Sequence, residues 1–250
     1  METNRRELLD LLKSLRGERV YPKTDPRLPP CPLCGAPALA GYRFERPGQI
    51  EHDCDCSYLK PERYQGALMG AWRRWIAPRL LIGDLAGYPR YQEMLERPLD
   101  IHTGNQAAVE TARTYSGGLL YIWGPPGTGK THMVLRLALR MAEEGRFVRF
   151  RSELDFLAEE RLAAVGETSL PQYERLVLDD AGKSRLSPFS AERLYALVER
   201  ASTGAYDLII TSNLPPEALG RRLGEIGAAV GSRLLGGVVL EVEGPDQRRR

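Results

Sequence analysis

The sequence predicts an α/β fold in which a parallel sheet is flanked by helices. From residue 119 onward, short apolar segments that predict strands alternate with segments whose apolar residues recur at helical spacing. A glycine-rich turn separates the first of these strands from the helix that follows it. The predicted strands are 119–123, 147–150, 176–178, 208–210 and 238–240, and the predicted helices are 131–144, 154–162 and 191–202.

Composition and charge are those of a soluble globular protein. The chain has 250 residues, of which 42% are hydrophobic and 27% are charged, and its formal net charge is +2. No apolar run is long enough to cross a membrane, and the N-terminus lacks the apolar centre of a signal peptide. We therefore expect a cytoplasmic protein without a membrane partner, in which thiols stay reduced.

Residues 124–131 form a phosphate-binding loop motif. They match the pattern G-x-x-x-x-G-K-[ST] at each fixed position and lie between a predicted strand and a predicted helix. Glycines let the backbone wrap around phosphates, while backbone N–H groups and the helix N-terminus supply positive potential. We expect Lys130 to neutralise the β- and γ-phosphates of ATP and the Thr131 hydroxyl to ligate Mg²⁺. The loop consists of Gly124, Pro125, Pro126, Gly127, Thr128, Gly129, Lys130 and Thr131.

Polar residues follow two of the other predicted strands. Asp179 and Asp180 end the apolar strand 176–178, at the sheet edge where open α/β sheets bind ligands. Asp179 is expected to hold Mg²⁺, and Asp180 to polarise the attacking water. Asn213 follows the strand 208–210 and reaches the same site if the two strands are neighbours, whereas an isolated asparagine there is commonly a turn residue.

These segments in this order resemble the AAA+ ATPase superfamily. They are more closely similar to the bacterial replicative-helicase loaders of the DnaC and DnaI type and to the related IstB transposition ATPases. The resemblance covers about residues 76–245, and the segments that carry it are 124–132, 178–182, Thr211-Ser212-Asn213-Leu214 and Gly231-Ser232-Arg233-Leu234.

The resemblance implies an AAA+ core that hydrolyses ATP and gives roles to two further residues. Asn213 is then the sensor-1 residue. Arg233 is then the arginine finger, which acts on the nucleotide of a neighbouring subunit and requires self-association in the ATP-bound state; the alternative is a surface arginine or a structural ion pair. In such loaders the core also contacts single-stranded DNA, and His132 is a helix residue and not a base.

The chain departs from the AAA+ pattern in two places. Many AAA+ enzymes have glutamate where this chain has Asp180, and the shorter side chain implies slow turnover that depends on DNA or a partner. Only ten residues follow Leu240, so we expect no full C-terminal lid and no ordinary sensor-2 arginine. The basic tail at residues 248–250 is typical of a solvated charge run.

The four cysteines, Cys31, Cys34, Cys54 and Cys56, occur in two close pairs. Two such pairs can enclose one tetrahedral Zn²⁺, with His52 as an alternative ligand and disulfides as the alternative state. With four protein ligands the zinc is structural, and it is expected to fold this proline-rich segment.

We therefore predict three regions. Residues 1–60 hold an N-terminal helix and the zinc-binding module that docks a partner, which the resemblance implies is the replicative helicase. Residues 61–115 form a helical linker and the N-terminal part of the ATPase domain, interrupted by Pro78, Pro89 and Pro98. Residues 116–250 form the AAA+ nucleotide-binding core.

Within the linker, residues 63–83 combine four arginines with Tyr64, Trp72 and Trp75 and contain no acidic residue. This is either an amphipathic helix with buried aromatic residues or a surface that binds single-stranded nucleic acid.

The predicted function is that of an ATP-dependent helicase loader in DNA replication. Its cofactors would be ATP, Mg²⁺ and Zn²⁺, and its partners a replicative helicase and single-stranded DNA. Two alternatives remain open. One is an IstB-like transposition ATPase, and the other is an adaptor that binds nucleotide without hydrolysing it.

Overall fold

A computed structural model describes residues 24–39, 50–166, 173–184 and 187–247. The chain divides into two compact units, residues 1–75 and residues 76–250. The predicted N-terminal helix and the basic tail at residues 248–250 lie outside the described residues.

The first unit contains the four cysteines. Antiparallel bridges join Thr24 to Leu39 and Ala38 to His52. A short helix, α1 (Cys56–Leu59), precedes the long helix α2 (Pro61–Asp84), whose first part belongs to this unit. The hydrophobic core of this unit is small and gives little stabilisation, and domains with so small a core commonly depend on a metal or on disulfides. Its buried cluster consists of Leu28, Cys31, Ala38, Ile50, Tyr64 and Leu68, with Trp72 and Trp75 packed against it.

Helix α2 continues through Pro78, where the sequence predicts an interruption. A proline inside a helix removes one hydrogen bond and costs about 3 kcal/mol. Ala77, Leu81 and Leu85 are fully buried in the core of the second unit. Burial of each leucine contributes about 1.5–3 kcal/mol, so packing on this stretch outweighs the cost of the proline.

The second unit is built on five parallel strands. Their order across the sheet is β2-β3-β4-β1-β5, which confirms the predicted fold class. The second strand lies two residues later than the sequence predicts, because its pairing begins with Arg149 opposite Leu176. The strands are β1 (Leu119–Trp123), β2 (Arg149–Ser152), β3 (Arg175–Ala181), β4 (Asp207–Ser212) and β5 (Val238–Glu241).

Helices cover both faces of this sheet. Leu120 and Ile122 belong to one buried cluster and Tyr121 to the other, as alternation along a strand requires. The helices are α3 (Pro89–Glu96), α4 (Gln106–Thr114), α5 (Lys130–Glu143), α6 (Glu153–Ala164), α7 (Pro188–Ser202), α8 (Pro216–Arg222) and α9 (Gly227–Leu235), and a 3-10 turn occupies Gly224–Ile226.

The carboxyl ends of three strands meet at one edge of the sheet. Trp123 at the end of β1 lies opposite Ser212 at the end of β4, and Ser212 also lies opposite Ala181 of β3. The glycine-rich loop, the Asp179–Asp180 pair and Asn213 therefore start at the same edge.

Asp84, at the end of α2, is fixed to β2. Its carboxylate accepts hydrogen bonds from Arg149 Nε at 2.7 Å and from Phe150 N at 3.0 Å, and it pairs with Arg151 at 2.8 Å. Burial alone would raise the pKa of Asp84, but these interactions outweigh burial and hold the pKa below its ordinary value.

We expect Asp84→Asn to lower the free energy of unfolding by about 2–3 kcal/mol at pH 7, because charged hydrogen bonds are lost. A carboxyl whose pKa is depressed by folding stabilises the protein above its unfolded-state pKa of about 3.9. That stabilisation is lost as the pH falls through the folded-state pKa, so the difference between variant and wild type should shrink in acid. Denaturant unfolding followed by circular dichroism at pH 7 and pH 3 measures this difference.

The matched control for Asp84→Asn is Glu110→Gln. Glu110 and Arg113 form an ion pair at 3.4 Å in which both side chains are mostly exposed. Its loss should change the free energy of unfolding by no more than about 0.5 kcal/mol. A loss of stability in Asp84→Asn that is equally large at both pH values would contradict the assignment.

No helix in the described part of the chain has both the length and the apolar composition needed to span a bilayer.

Candidate functional site

Residues 124–131 form a loop that ends in the first turn of α5. Gly129 precedes this helix with a φ of 91°, in the left-handed region. Gly124 has a φ of 151°, and a Cβ at this position would collide with the carbonyl oxygen of Val242. The backbone therefore requires glycine at both positions.

The Lys130 side chain is buried in this loop. Its Nζ donates hydrogen bonds to the carbonyl oxygens of Gly124 at 2.8 Å and Pro125 at 2.7 Å. Thr128 is also buried, and its Oγ1 donates to the Pro125 carbonyl oxygen at 2.9 Å. The ammonium group of Lys130 has three N–H donors. It can therefore donate to phosphate oxygens in place of the Gly124 and Pro125 carbonyl oxygens.

Asp179 lies fully buried near the end of β3, where three hydroxyl groups contact its carboxylate. Thr131 Oγ1 donates to Oδ1 at 3.0 Å, Thr211 Oγ1 donates to Oδ1 at 2.6 Å, and Tyr91 Oη donates to Oδ2 at 3.1 Å. Burial raises the pKa of Asp179, and the hydrogen bonds from Thr211 and Thr131 oppose that shift. A carboxylate beside a hydroxyl is the hard oxygen donor set that suits Mg²⁺.

Asp180 has a φ of 60°, and no other described non-glycine residue has a positive φ. Its backbone N–H donates to Thr211 Oγ1 at 2.9 Å, and its carboxylate pairs with Lys183 Nζ at 2.9 Å. Backbone strain of this kind is concentrated at functional sites, where surrounding contacts maintain it. Thr211 supplies one such contact here.

A cavity of about 260 Å³ lies against the loop. It brings together residues that the sequence places far apart, and Asn213 is exposed at its wall. The predicted site residues that line it are Gly127, Gly129, Lys130, Thr131, Asp180 and Asn213.

The segment after β5 crosses the glycine-rich loop. Val242 N donates to the Trp123 carbonyl oxygen at 2.7 Å, and Gln247 N donates to the Gly127 carbonyl oxygen at 3.0 Å. No α-helix follows β5 among the described residues, which end at Gln247.

Arg233, on α9, is not among the residues that line this cavity. Its guanidinium pairs with Glu199, lies over the Tyr195 ring at 5.3 Å from the ring centre, and donates to the Ala229 carbonyl oxygen at 3.1 Å. The structure therefore does not bring Arg233 to the cavity of its own chain.

Tyr91 and Thr211, which both contact Asp179, are not among the site residues predicted from the sequence. A usable signal for Thr211 is its position directly after the apolar run 208–210 of β4, because a polar residue in a buried strand needs a hydrogen-bond partner. Tyr91 is 88 positions from Asp179 along the chain, and no local pattern indicates that contact.

The four cysteines converge in the first unit. Their sulfur atoms all lie within 4.8 Å of one another, and none of the four forms a disulfide. Thiolates around one tetrahedral zinc are separated by about 3.8 Å, as Zn–S bonds of about 2.3 Å require. Gly35, with a φ of 76°, closes the first pair into a knuckle in which its N–H donates to the Cys31 carbonyl oxygen at 2.8 Å. The donor set and its spacing thus fit a structural zinc ion.

His52 does not belong to this cluster. Its Nδ1 lies 2.6 Å from Tyr64 Oη, and its Nε2 lies 3.1 Å from the Pro29 carbonyl oxygen. Burial lowers the pKa of His52 and raises that of Tyr64 to about 12. A neutral imidazole with both nitrogens engaged has no lone pair left for a metal.

Comparison with known proteins places the second unit among ATP-binding proteins. An ATP-binding protein of insertion sequence IS5376 from Geobacillus stearothermophilus is 29% identical over 124 residues, which are 47% of this chain and 46% of that relative. The match therefore spans about half the length of the relative.

Among solved structures, the DnaC helicase loader aligns with a TM-score of 0.52 and 23% identity over 62% of this chain and 99% of that chain, which shows a shared fold. The DnaI structure aligns with a TM-score of 0.48 and 19% identity over 63% of this chain and 93% of that chain. The sequence profile of the IstB-like ATP binding proteins matches residues 116–250, more than half of the sequence. The chain thus belongs to the family of IstB-like ATP binding proteins.

Proposed function

We propose that this protein is an ATP-driven switch that binds and slowly hydrolyses Mg-ATP and delivers a replicative helicase to single-stranded DNA. The observation that carries the ATPase part is the convergence of the Lys130 loop with Thr131, Asp179 and Asp180 at one sheet edge. A cation, a hydroxyl–carboxylate pair and a second carboxylate are the groups that phosphoryl transfer to water requires.

Each of these groups has a distinct task in the proposal. Lys130 binds the β- and γ-phosphate oxygens, and Thr131 and Asp179 hold the metal. Mg²⁺ at that position supplies charge that neutralises the phosphate oxygens. Asp180 accepts a proton from the attacking water, while Asn213 orients the water or the terminal phosphate.

A neighbouring subunit completes the proposed site. Arg233 is held by Glu199 and Tyr195 away from its own cavity. An arginine stays charged at every physiological pH and can donate several hydrogen bonds to phosphate oxygens. We propose that ATP-dependent self-association brings Arg233 to the nucleotide of the adjacent subunit.

The four-cysteine unit is the part of the chain that we propose docks the helicase. This unit has its own buried cluster and lies outside the residues that match the ATP-binding family. A separate zinc-stabilised module can hold a partner while the nucleotide-binding unit contacts single-stranded DNA.

A second candidate partner is a transposase. The relative from an insertion sequence favours this alternative, because it is an ATP-binding protein of a mobile element. The two candidates share the same nucleotide chemistry and differ in the protein that is delivered.

We expect Asp180→Asn to lower ATP hydrolysis by about 100-fold or more while Mg-ATP still binds, since a lost general base commonly costs that much. Phosphate release with single-stranded DNA present measures hydrolysis, and calorimetric titration with ATP measures binding. The matched control is Glu192→Gln, which changes an exposed carboxylate on α7. An unchanged stimulated rate in Asp180→Asn would show that Asp180 is not the base. No hydrolysis by the wild type would instead favour the adaptor that binds nucleotide without hydrolysing it.

Affinity capture with the full chain tests the partner. Purified hexameric replicative helicase and purified transposase from the same organism are each offered to the protein, with and without Mg-ATP. Retention of the helicase supports the loader. Retention of the transposase alone would replace it with the transposition ATPase.

A further inference from the structure

Arg90 is a cation at the wall of the nucleotide cavity, and it is not among the site residues predicted from the sequence. It lies in the first turn of α3, is exposed, and lines the cavity with Lys130, Asp180 and Asn213. Within the described part of the chain, no carboxylate forms an ion pair with Arg90. Arg97 at the other end of α3 also lines the cavity, but it pairs with Glu93 at 3.4 Å.

The start of α3 is fixed next to the paired aspartates. Tyr91, which follows Arg90 in the sequence, donates to Asp179 Oδ2 at 3.1 Å. The Tyr91 ring stacks on Tyr88 with ring centres 5.1 Å apart and meets the Phe150 ring edge-on at 5.5 Å. Arg90 therefore lies next to a residue whose side chain contacts the end of β3.

The far end of α3 is fixed to α5, the helix that follows the glycine-rich loop. Arg136 Nη1 donates to the Leu95 carbonyl oxygen at 2.9 Å, and His132 Nε2 lies 3.2 Å from the Arg97 carbonyl oxygen. Burial lowers the pKa of His132, so the neutral ring with a proton on Nε2 serves as the donor. Because both ends are anchored, α3 holds Arg90 in place beside the cavity.

The position of Arg90 also indicates which part of a nucleotide it meets. Asp180 and Lys130 both line the cavity, and in the proposed function Asp180 accepts the proton of the attacking water while Lys130 binds the terminal phosphate. Arg90 lines the same cavity, and the side chain of its neighbour Tyr91 reaches Asp179, the residue before Asp180. A guanidinium without a carboxylate partner is suited to bind phosphate oxygens through two parallel hydrogen bonds.

We infer that Arg90 binds the terminal phosphate of ATP from within the same subunit and so makes the site distinguish ATP from ADP. This inference rests on the proposed binding of Mg-ATP. It assigns to α3 a nucleotide-sensing role: release of phosphate removes the ligand of Arg90, while the contacts of Lys130 with the remaining diphosphate persist.

Calorimetric titration of the full-length protein with ADP and with the non-hydrolysable ATP analogue AMP-PNP, each with Mg²⁺, tests this role. Arg90→Gln should weaken binding of AMP-PNP by about tenfold or more and change binding of ADP by less than about twofold. Arg113→Gln is the matched control, because Arg113 is an exposed arginine that pairs with Glu110 and does not line the cavity. It should leave both affinities within about twofold of wild type.

The possible outcomes separate this inference from the function on which it rests. Loss of AMP-PNP affinity alone in Arg90→Gln, with an unchanged melting temperature, supports the inference. Equal weakening of both nucleotides, no weakening, or the same preference in Arg113→Gln would overturn it while leaving Mg-ATP binding intact. If wild type bound neither nucleotide, the proposed function itself would fail.

Discussion

Replacing Lys130 with alanine is expected to reduce ATP hydrolysis by about 100-fold or more and to weaken Mg-ATP binding as well. The side chain is buried within the loop and held by the Gly124 and Pro125 carbonyl oxygens, so the ammonium is already positioned before phosphate arrives. Alanine removes that charge and leaves those carbonyl oxygens without this donor. Phosphate release and nucleotide titration measure the two effects.

Lys60→Ala provides the control, because Lys60 is an exposed lysine in the first unit. It should hydrolyse ATP at the wild-type rate. Hydrolysis in Lys130→Ala at a rate close to wild type would show that phosphate binds elsewhere, and the assignment of the loop would have to be abandoned.

Removing the metal from the four-cysteine unit should unfold that unit while the second unit stays folded. Structural zinc sites contribute about 10–16 kcal/mol of folding free energy, and the small buried cluster here cannot replace that amount. We expect one zinc per chain in wild type and loss of zinc in Cys54→Ser and Cys56→Ser. Plasma mass spectrometry measures the metal content.

Tryptophan fluorescence reports the accompanying loss of structure. Trp75 Nε1 donates to the Arg27 carbonyl oxygen at 2.7 Å within the first unit, so its emission should shift to longer wavelength when the metal is removed. Helicase capture should be lost at the same time, whereas Mg-ATP binding should persist.

His52→Gln is the control for the zinc site. Both ring nitrogens of His52 already have partners, so this variant should lose stability but keep its zinc. Wild-type protein without zinc, or full retention of zinc in both serine variants, would contradict the proposed metal site.

The parts of the fold that sequence predicts well are those determined by neighbouring residues. Strand β1 has the predicted bounds, because an apolar run there ends directly at the glycine-rich turn. Strand β2 lies later than predicted, because Phe147 and Val148 are apolar but do not pair with β3. Apolar composition alone does not show where hydrogen bonding between strands begins.

Contacts between distant segments explain most of what the sequence did not reveal about the site. The loop motif predicted the roles of Lys130 and Thr131, because its spacing reflects a known chemical arrangement, and the position of Asp179 at the end of an apolar strand predicted that it lies at the same sheet edge. Nothing in the local pattern indicated that Tyr91 reaches Asp179 or that Arg90 lines the cavity. The contact of Tyr91 and the position of Arg90 both depend on how α3 packs against α5, and these two helices are far apart in the sequence.

Helix α2 shows the same limitation in its backbone. Pro78 predicts a helix end from local geometry, yet the buried Ala77 and Leu81 beside it stabilise a continuous helix. The roles of Asn213 and Arg233 stay predictions that rest on resemblance, since contacts within a single chain do not test them.

The rate of phosphate release from Mg-ATP, measured in the presence of single-stranded DNA over a range of protein concentrations, tests the central claim most directly. We predict slow hydrolysis whose rate per subunit rises with protein concentration, because the proposed function requires Arg233 to act on a neighbouring subunit. Release no faster than that of the Lys130→Ala variant at every concentration would contradict the claim that this protein is an ATPase.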